Sequence, residues 1–164
     1  MPKVILVIHN VRSAHNVGSL LRTADGFGVD KVIISGYSPY PKASGDSRLP
    51  HLAEKSHQRI AKTALGAEDS ISWEHIEDVG PTLSELKDQG FVVAALEQTP
   101  NAIELNEFRT PEKTTLLVGN EISGLDNKVL DAANIHLQIP MLGAKESLNV
   151  SVAGAIALYH LKFR

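Results

Sequence analysis

The feature that most restricts the fold of this chain is a regular alternation of short apolar runs with longer segments of helical periodicity. The pattern starts with an apolar run at residues 4–8, continues with a helical segment at 16–26 and returns to a β-branched run at 31–35. Such runs predict buried strands, and apolar residues recurring every three or four positions predict helices. Strands alternating with helices favour a mostly parallel sheet covered on both faces. We therefore predict an α/β fold with a single domain over residues 1–164.

The same patterns predict the other elements of the chain. A segment rich in Pro, Ser and Gly predicts a loop, a Ser before an apolar helix predicts an N-cap, and Gly90 predicts a helix end. The predicted elements are a loop at 36–50, helices at 53–65 and 81–89, strands at 71–73, 91–96, 115–118 and 135–139, a short helix after Asp126, and a helix from the cap Ser147 to about Leu161.

Composition excludes several classes of function. The chain has no cysteine, which rules out disulfides, thiolate metal sites and mechanisms with a Cys nucleophile. Its seven histidines show no metal-ligand spacing, so no metal site is predicted. No apolar run is long enough to span a bilayer and the first residues do not resemble a secretory signal, so we expect a soluble, cytoplasmic protein.

The common nucleotide-binding fingerprints are absent. Residues 119–124 have the glycine spacing of a phosphate-binding loop, but Leu125 and Asp126 follow where Lys and Ser or Thr are needed. No G-x-G-x-x-G sequence follows a predicted strand, which argues against dinucleotide dehydrogenases and the common doubly wound methyltransferases. A small-molecule phosphate enzyme is therefore disfavoured.

The distribution of charge leaves two interpretations open. The net charge of −3 argues against a protein that coats nucleic acid non-specifically. A local group of cations nevertheless occurs between residues 42 and 62, opposed only by Asp46 and Glu54. It is either a basic binding surface or a solvated loop and helix face. The group comprises Lys42, Arg48, His51, Lys55, His57, Arg59 and Lys62.

Polar residues also cluster at the edges of three apolar elements. In the first cluster, Asn16 is placed to cap a helix, and Gly18 is expected to clear room for a ligand beside Arg22. The second follows a buried strand, where open α/β sheets bind ligands, and the third begins a helix, whose free N–H groups suit a carboxylate or phosphate. The clusters are Asn16, Gly18 and Arg22; Gly119, Asn120 and Glu121; and Ser147, Leu148 and Asn149.

Each of these residues also has a purely structural interpretation. Arg22 could form a surface ion pair with Asp25, which would contribute under about 1 kcal/mol. Asn16 and Ser147 could serve only as helix caps, and Glu121 could be an exposed acid of a loop. Capping and ligand contact are compatible, so the clusters alone do not decide between these roles.

Taken together and in order, the three clusters resemble the motifs of the SpoU/TrmH family, the RNA ribose 2′-O-methyltransferases of the SPOUT superfamily. The motifs N-x-G-x-x-x-R, G-N-E and S-L-N all match, and the resemblance covers nearly the whole chain. It implies S-adenosylmethionine as methyl donor, tRNA or rRNA as substrate and no role for DNA. It further implies a C-terminal trefoil knot around the cofactor site and a homodimer whose active site uses both subunits.

The resemblance also implies roles for individual residues. The predicted catalytic residues are Asn16, Arg22, Glu121, Ser147 and Asn149, and the predicted cofactor-binding residues are Leu96, Gly119, Ile139, Met141 and Leu148. Glu97 and Gln98 are expected near the methionine or ribose part of the cofactor. The chain starts directly at its first strand, so we expect no separate RNA-binding extension, and the identity of the RNA is not predicted.

The chemistry implied for Arg22 follows from its acidity. A guanidinium with a pKa above about 12 does not readily give up a proton. We therefore expect Arg22 to position the substrate phosphate and stabilise the developing oxyanion, while that phosphate or a water takes the proton. The alternative is a catalytically weak RNA-binding or cofactor-binding module that retains the fold.

Overall fold

A seven-stranded, entirely parallel sheet forms the centre of the protein in the computed structural model, which describes residues 1–164. The strands are β1 (Lys3–His9), β2 (Lys31–Ser35), β3 (Trp73–Ile76), β4 (Val92–Leu96), β5 (Ile103–Glu104), β6 (Lys113–Val118) and β7 (Ile135–Gln138). They lie in the order β3-β2-β1-β6-β4-β7-β5. Every pairing between neighbours is parallel. The predicted sheet is confirmed.

Six helices cover the two faces of this sheet, five of which were predicted. They are α1 (Ala14–Gly26), α2 (Pro50–Ala64), α3 (Ala67–Ser70), α4 (Val79–Asp88), α5 (Asn127–Ala132) and α6 (Val150–Phe163). One core cluster joins the sheet to α1, α2, α3 and α6, and a smaller one joins it to α4 and α5. The helices are all too short or too polar to cross a membrane.

Strand β1 shows why the sequence folds in this way. Val4, Leu6 and Ile8 belong to the larger core cluster, and Ile5 and Val7 to the smaller one. Since side chains of a strand alternate between faces, a continuous apolar run is needed where both faces are covered. Each such side chain contributes about 1.5–3 kcal/mol when fully buried.

Glycine at position 18 lets α1 and α2 pack closely. A Cβ atom there would collide with the Thr63 hydroxyl and with the backbone oxygen of Ile60. The expectation that Gly18 clears room for a ligand beside Arg22 is therefore wrong. The space is filled by α2, and the contact fixes the position of α1.

The last helix ties the end of the chain to its beginning. Lys162 in α6 is only 6% exposed. Its ammonium donates hydrogen bonds to the backbone oxygens of Pro2 at 3.1 Å and Gly28 at 2.8 Å. Asp30 lies 3.9 Å from the same nitrogen. These contacts satisfy a charge that would be costly to bury alone.

Several element boundaries differ from the prediction. Ile71 ends α3, because its backbone N–H bonds to Ala67, so β3 begins later, at Trp73. The elements α3 and β5 were not predicted. Helix α2 begins at Pro50 rather than at residue 53.

Both predicted helix caps are also wrong. Ser13 caps α1 and accepts a hydrogen bond from the backbone N–H of Asn16, which lies within the first turn. Asn149 caps α6 by accepting from the backbone N–H of Ser151, so Ser147 precedes the cap. Ser, Asn and Asp cap about equally well, so the choice is made by where the loop turns into the helix.

Candidate active site

A cavity of about 410 Å³ lies at the carboxyl ends of β4, β6 and β7. Its walls come from the three loops that follow these strands and from the start of α6. This is the edge where open α/β sheets bind ligands, and the volume falls within the range of small-molecule sites. The lining residues include 96–98, 118–122, 137–139, 147–150, Gly124, Met141 and Ala153.

The residues predicted to bind the cofactor all lie in this cavity. They come from three separate loops and meet only in the folded chain. Leu96, Leu137, Ile139, Met141 and Leu148 provide apolar surface, and Glu97, Gln98 and Gln138 provide polar groups. Such a lining suits a ligand with a flat apolar part and a polar part.

The loop after β6 is held in one tight conformation. Asn120 and Gly124 exchange backbone hydrogen bonds of 3.3 and 3.0 Å. The side-chain oxygen of Asn120 accepts from the backbone N–H groups of Ile122 at 2.8 Å and Ser123 at 2.9 Å. A Cβ at Gly119 would lie 2.7 Å from the Leu125 side chain, so only glycine fits there without a shift.

The other two loops are fastened to their neighbours by side chains. Glu97 accepts a hydrogen bond of 3.0 Å from the backbone N–H of Leu125, which joins the β4 loop to the β6 loop. Gln98 donates a bond of 2.8 Å to the backbone oxygen of Glu146, which joins it to the β7 loop. The three walls are therefore fixed relative to one another, and little reorganisation is needed for a ligand to bind.

Glu121, Asn16 and Asn149 form a hydrogen-bonded chain at the rim of the cavity. Glu121 accepts bonds of 3.0 Å from the backbone N–H groups of Arg12 and Ser13 and one of 3.1 Å from Asn16 Nδ2. Asn149 Nδ2 in turn donates to Asn16 Oδ1 at 3.2 Å. The predicted residues Asn16, Glu121, Ser147 and Asn149 thus all lie in or beside the cavity.

Hydrogen bonding keeps Glu121 ionised. Partial burial raises the pKa of its carboxyl, but the donors from Arg12, Ser13 and Asn16 outweigh that effect and hold the pKa below its ordinary value. The carboxylate also lies at the N-terminus of α1, where negative charge is favoured. Because these three donors occupy most of the lone pairs of its carboxylate, Glu121 is better suited to anchoring the rim than to accepting a proton.

Arg22 lies away from this cavity. It is exposed on α1 and lines a shallow groove with Ser19, Lys62 and Thr63. At 1.5 Å per residue it is about 9 Å further along the helix axis than Asn16. The structure of the single chain therefore does not bring the predicted catalytic arginine to the other site residues. The alternative ion pair with Asp25 is not formed either, and Asp25 instead accepts a hydrogen bond from Ser70.

The sequence alone does not identify the backbone N–H groups of Arg12 and Ser13 as hydrogen-bond donors to the site. The available signal was Ser13, a residue of capping type just before the first helix. The contact partner, Glu121, is more than 100 residues away along the chain. The sequence did not show that these two segments meet.

Some cations of the predicted group form ion pairs and others do not. Arg48 pairs with Asp46 through Nη2 and Oδ2 at 2.6 Å and lies over the Tyr40 ring. Lys42 pairs with Glu54 at 3.3 Å. Lys55, Arg59 and Lys62 are exposed on α2 and form no ion pair.

Comparisons with known proteins agree on one family. The model of the SpoU rRNA Methylase family matches residues 3–159. A protein of Staphylococcus epidermidis assigned to the TrmH family of tRNA/rRNA methyltransferases is 32% identical over 157 residues, which cover 96% of this chain and 57% of that protein. The chain thus spans a little more than half the length of the curated relatives it matches.

Solved structures share the fold. The SpoU methyltransferase AviRb of Streptomyces viridochromogenes, in complex with the cofactor AdoMet, has a TM-score of 0.80 at 21% identity over 97% of this chain and 56% of its own. A structure concerned with 2-OH methylation of C/U34 on tRNA has a TM-score of 0.76 at 26% identity, covering 98% of this chain and 94% of its own.

Proposed function

This chain belongs to the SpoU rRNA methylase family, and on that premise we propose that it transfers a methyl group from S-adenosylmethionine to the 2′-hydroxyl of a ribose in tRNA or rRNA. The observation that carries the proposal is the single cavity of about 410 Å³ that contains the residues of the G-N-E and S-L-N motifs, with Asn16 of the first motif hydrogen-bonded at its rim. The relative concerned with 2-OH methylation supports the ribose as acceptor, and it matches this chain over nearly its whole length.

The residues of the cavity fit the proposed cofactor. Leu96, Ile139, Met141 and Leu148 offer an apolar surface for the adenine, and Gly119 lets the β6 loop pack closely against Leu125 in the wall of the cavity. Glu97 and Gln98 offer a carboxylate and an amide to the hydroxyls or to the amino acid part. When bound, S-adenosylmethionine supplies an electrophilic methyl group on a sulfonium.

The chain's own residues then have to orient the acceptor hydroxyl. The rim formed by Glu121, Asn16 and Asn149 is rigid because each member is hydrogen-bonded to the next. We assign these residues, with Ser147, to positioning the ribose beside the cavity. Holding two reactants in line contributes several kcal/mol to catalysis in well-oriented systems, about 7–11 at the upper end.

We assign Arg22 to the cavity of a second copy of the chain. About 9 Å of helix separates it from Asn16 in its own chain. A homodimer would supply the missing arginine, which remains a cation at neutral pH and stabilises the phosphate and the developing oxyanion. The proton of the hydroxyl then passes to that phosphate or to a water.

Helix α6 offers a surface for such a homodimer. Its residues Val152, Ile156, Tyr159 and Phe163 are 41–49% exposed and recur every three or four positions. They therefore form one apolar stripe, which is unusual on the surface of a monomer. The trefoil knot stays a prediction from the resemblance.

Methyl transfer to RNA tests the proposal directly. The protein is incubated with S-adenosylmethionine labelled in its methyl group and with total tRNA or rRNA, and the RNA is then hydrolysed in alkali. A methylated 2′-oxygen blocks cleavage, so the label should appear in alkali-resistant dinucleotides. Label in mononucleotides would mean that a base is methylated, and cofactor binding without transfer would favour a non-catalytic module.

A further inference from the structure

The outer face of α2 carries more positive charge than negative charge. Its exposed side chains include His51, Lys55, Arg59 and Lys62, and its one acid, Glu54, is paired with Lys42. Lys55, Arg59 and Lys62 recur at four and three positions, so they lie on one side of the helix, about one turn apart. We call these three residues the α2 stripe.

The α2 stripe is not neutralised by other parts of the chain. The Lys55, Arg59 and Lys62 side chains take part in none of the hydrogen bonds or ion pairs of the structure. The one acid of α2, Glu54, pairs with Lys42 at 3.3 Å and accepts a bond of 3.2 Å from Gln58. The next acids in the sequence, Glu68 and Asp69, come only after α2 has ended. Because the chain as a whole has a net charge of −3, this concentration of cations is local.

The α2 stripe leads towards the rim of the candidate active site. Thr63, which follows Lys62, donates a hydrogen bond of 2.8 Å to the backbone oxygen of His15. The next residue, Asn16, contacts both Glu121 and Asn149. Lys62 also lines the groove that contains Arg22. Lys62, at one end of the α2 stripe, thus lies beside the groove of Arg22 and next in sequence to the residue that contacts α1 at the rim, the two places to which the proposed function assigns the substrate.

We propose that the α2 stripe binds the phosphodiester backbone of the RNA whose ribose is methylated. This inference rests on the proposed function, and it adds a surface that the family's three motifs do not include. A row of cations one helical turn apart complements the repeating negative charge of a nucleic acid backbone. Such contacts position the RNA and do not read its sequence.

Two double variants with equal charge test the proposal. Lys55→Gln with Arg59→Gln removes two cations of the α2 stripe and leaves Lys62 beside Arg22. The matched control is Lys3→Gln with Lys128→Gln, because both lysines are exposed and have no ion pair, at the start of β1 and on α5. Binding of total tRNA and fragmented rRNA is measured for both variants over a range of salt concentrations, together with kcat and KM.

The stripe variant should bind RNA about tenfold more weakly than the control, with KM raised to the same extent and kcat within about twofold. The slope of log affinity against log salt should fall in magnitude by about 1.4, since each lost phosphate contact accounts for about 0.7 on single-stranded nucleic acid. Arg59→Lys should keep most of the affinity. Calorimetric titration with S-adenosylmethionine should give the same affinity for all variants, which shows that they are folded.

The outcomes separate this inference from the proposed function. If the unmodified protein binds and methylates RNA while the stripe variant matches the control, the inference is wrong and the proposed function stands. If the unmodified protein neither binds nor methylates RNA, the proposed function is wrong, and the inference that the α2 stripe binds RNA is wrong with it.

Discussion

Asn16 and Glu121, which are 105 residues apart in the chain, are joined by a hydrogen bond of 3.1 Å from Asn16 Nδ2 to Glu121 Oε1. The bond connects the first turn of α1 with the loop after β6. The same carboxylate accepts the backbone N–H groups of Arg12 and Ser13. One side chain thus holds the start of the first helix against the wall of the cavity.

Replacing Glu121 by Gln should destabilise the protein in a pH-dependent manner. The carboxylate accepts three hydrogen bonds, and we expect a loss of about 1 kcal/mol in the free energy of unfolding at pH 7, at the low end for charged acceptors because the group is exposed. Since its pKa is lower in the folded state, the unfolded state binds more protons as the pH falls. The difference between the two proteins should therefore shrink below about pH 4.3. Urea unfolding of both proteins from pH 7 to pH 3 measures this difference in the free energy of unfolding. A difference that stays constant over this range would contradict the prediction.

Mixing two inactive variants should restore activity if Arg22 acts on the partner's cavity. Arg22→Ala and Asn149→Ala should each lose methyl transfer by about a hundredfold or more. Co-refolded in equal amounts, they form mixed dimers in which one of the two sites has both native residues, which gives about a quarter of the unmodified activity. If Arg22 acted within its own chain, no site would be intact and the mixture would stay inactive.

Two glycines in α1 should respond to alanine in opposite directions. Gly18→Ala forces a Cβ against Thr63 and the Ile60 backbone, and overpacking of this kind costs about 1–3 kcal/mol. Gly26→Ala meets no atom within 4 Å, and it should stabilise the protein by about 0.4–1 kcal/mol through a stiffer unfolded chain. Thermal and urea unfolding of both variants measure these changes in the free energy of unfolding. Equal effects would show that α2 can move away from α1.

His9 should make the protein less stable in mild acid. The ring is 7% exposed, and its Nδ1 lies 2.8 Å from Ser35 Oγ. Burial lowers its pKa despite the carboxylate of Asp126 at 3.9 Å. Because the unfolded state then binds the proton more tightly, stability should fall as the pH drops below about 6.5.

Replacing His9 by Gln removes this titration. The unfolding free energy of the variant should therefore change less than that of the unmodified protein between pH 7.5 and pH 5.5. Parallel curves for the two proteins in this range would show that His9 takes up its proton equally well in both states.

The sheet and its covering helices could be predicted because they depend on local periodicity. The run at β1 alternates between two core clusters, and α1 carries Val17, Leu20, Leu21 and Ala24 on one buried side. Either pattern is visible in a short stretch of sequence. The five expected cofactor residues were named from the resemblance to the SpoU/TrmH family, and the fold brings them together around one cavity at the carboxyl ends of the strands.

The caps and the location of Arg22 depend instead on contacts between distant segments. Ser13 and not Asn16 caps α1, and the loop before that cap is held by Glu121 from the other half of the chain. Gly18 and Arg22 share a helix face, but Ile60 and Thr63 fill the space beside Gly18. A single-chain pattern cannot show which surface a second element or a second molecule will cover.

The contacts of Lys162 with Pro2 and Gly28 have a consequence for how the protein is made. While the ribosome is still translating the earlier strands, the nascent chain lacks α6, whose Gly154 lies against Leu20 and whose Lys162 lies 3.9 Å from Asp30. The cavity also lacks one of its walls until residues 147–153 have been translated. The contacts of Lys162 join residues that are 160 and 134 positions apart in the sequence, so we expect folding to proceed slowly.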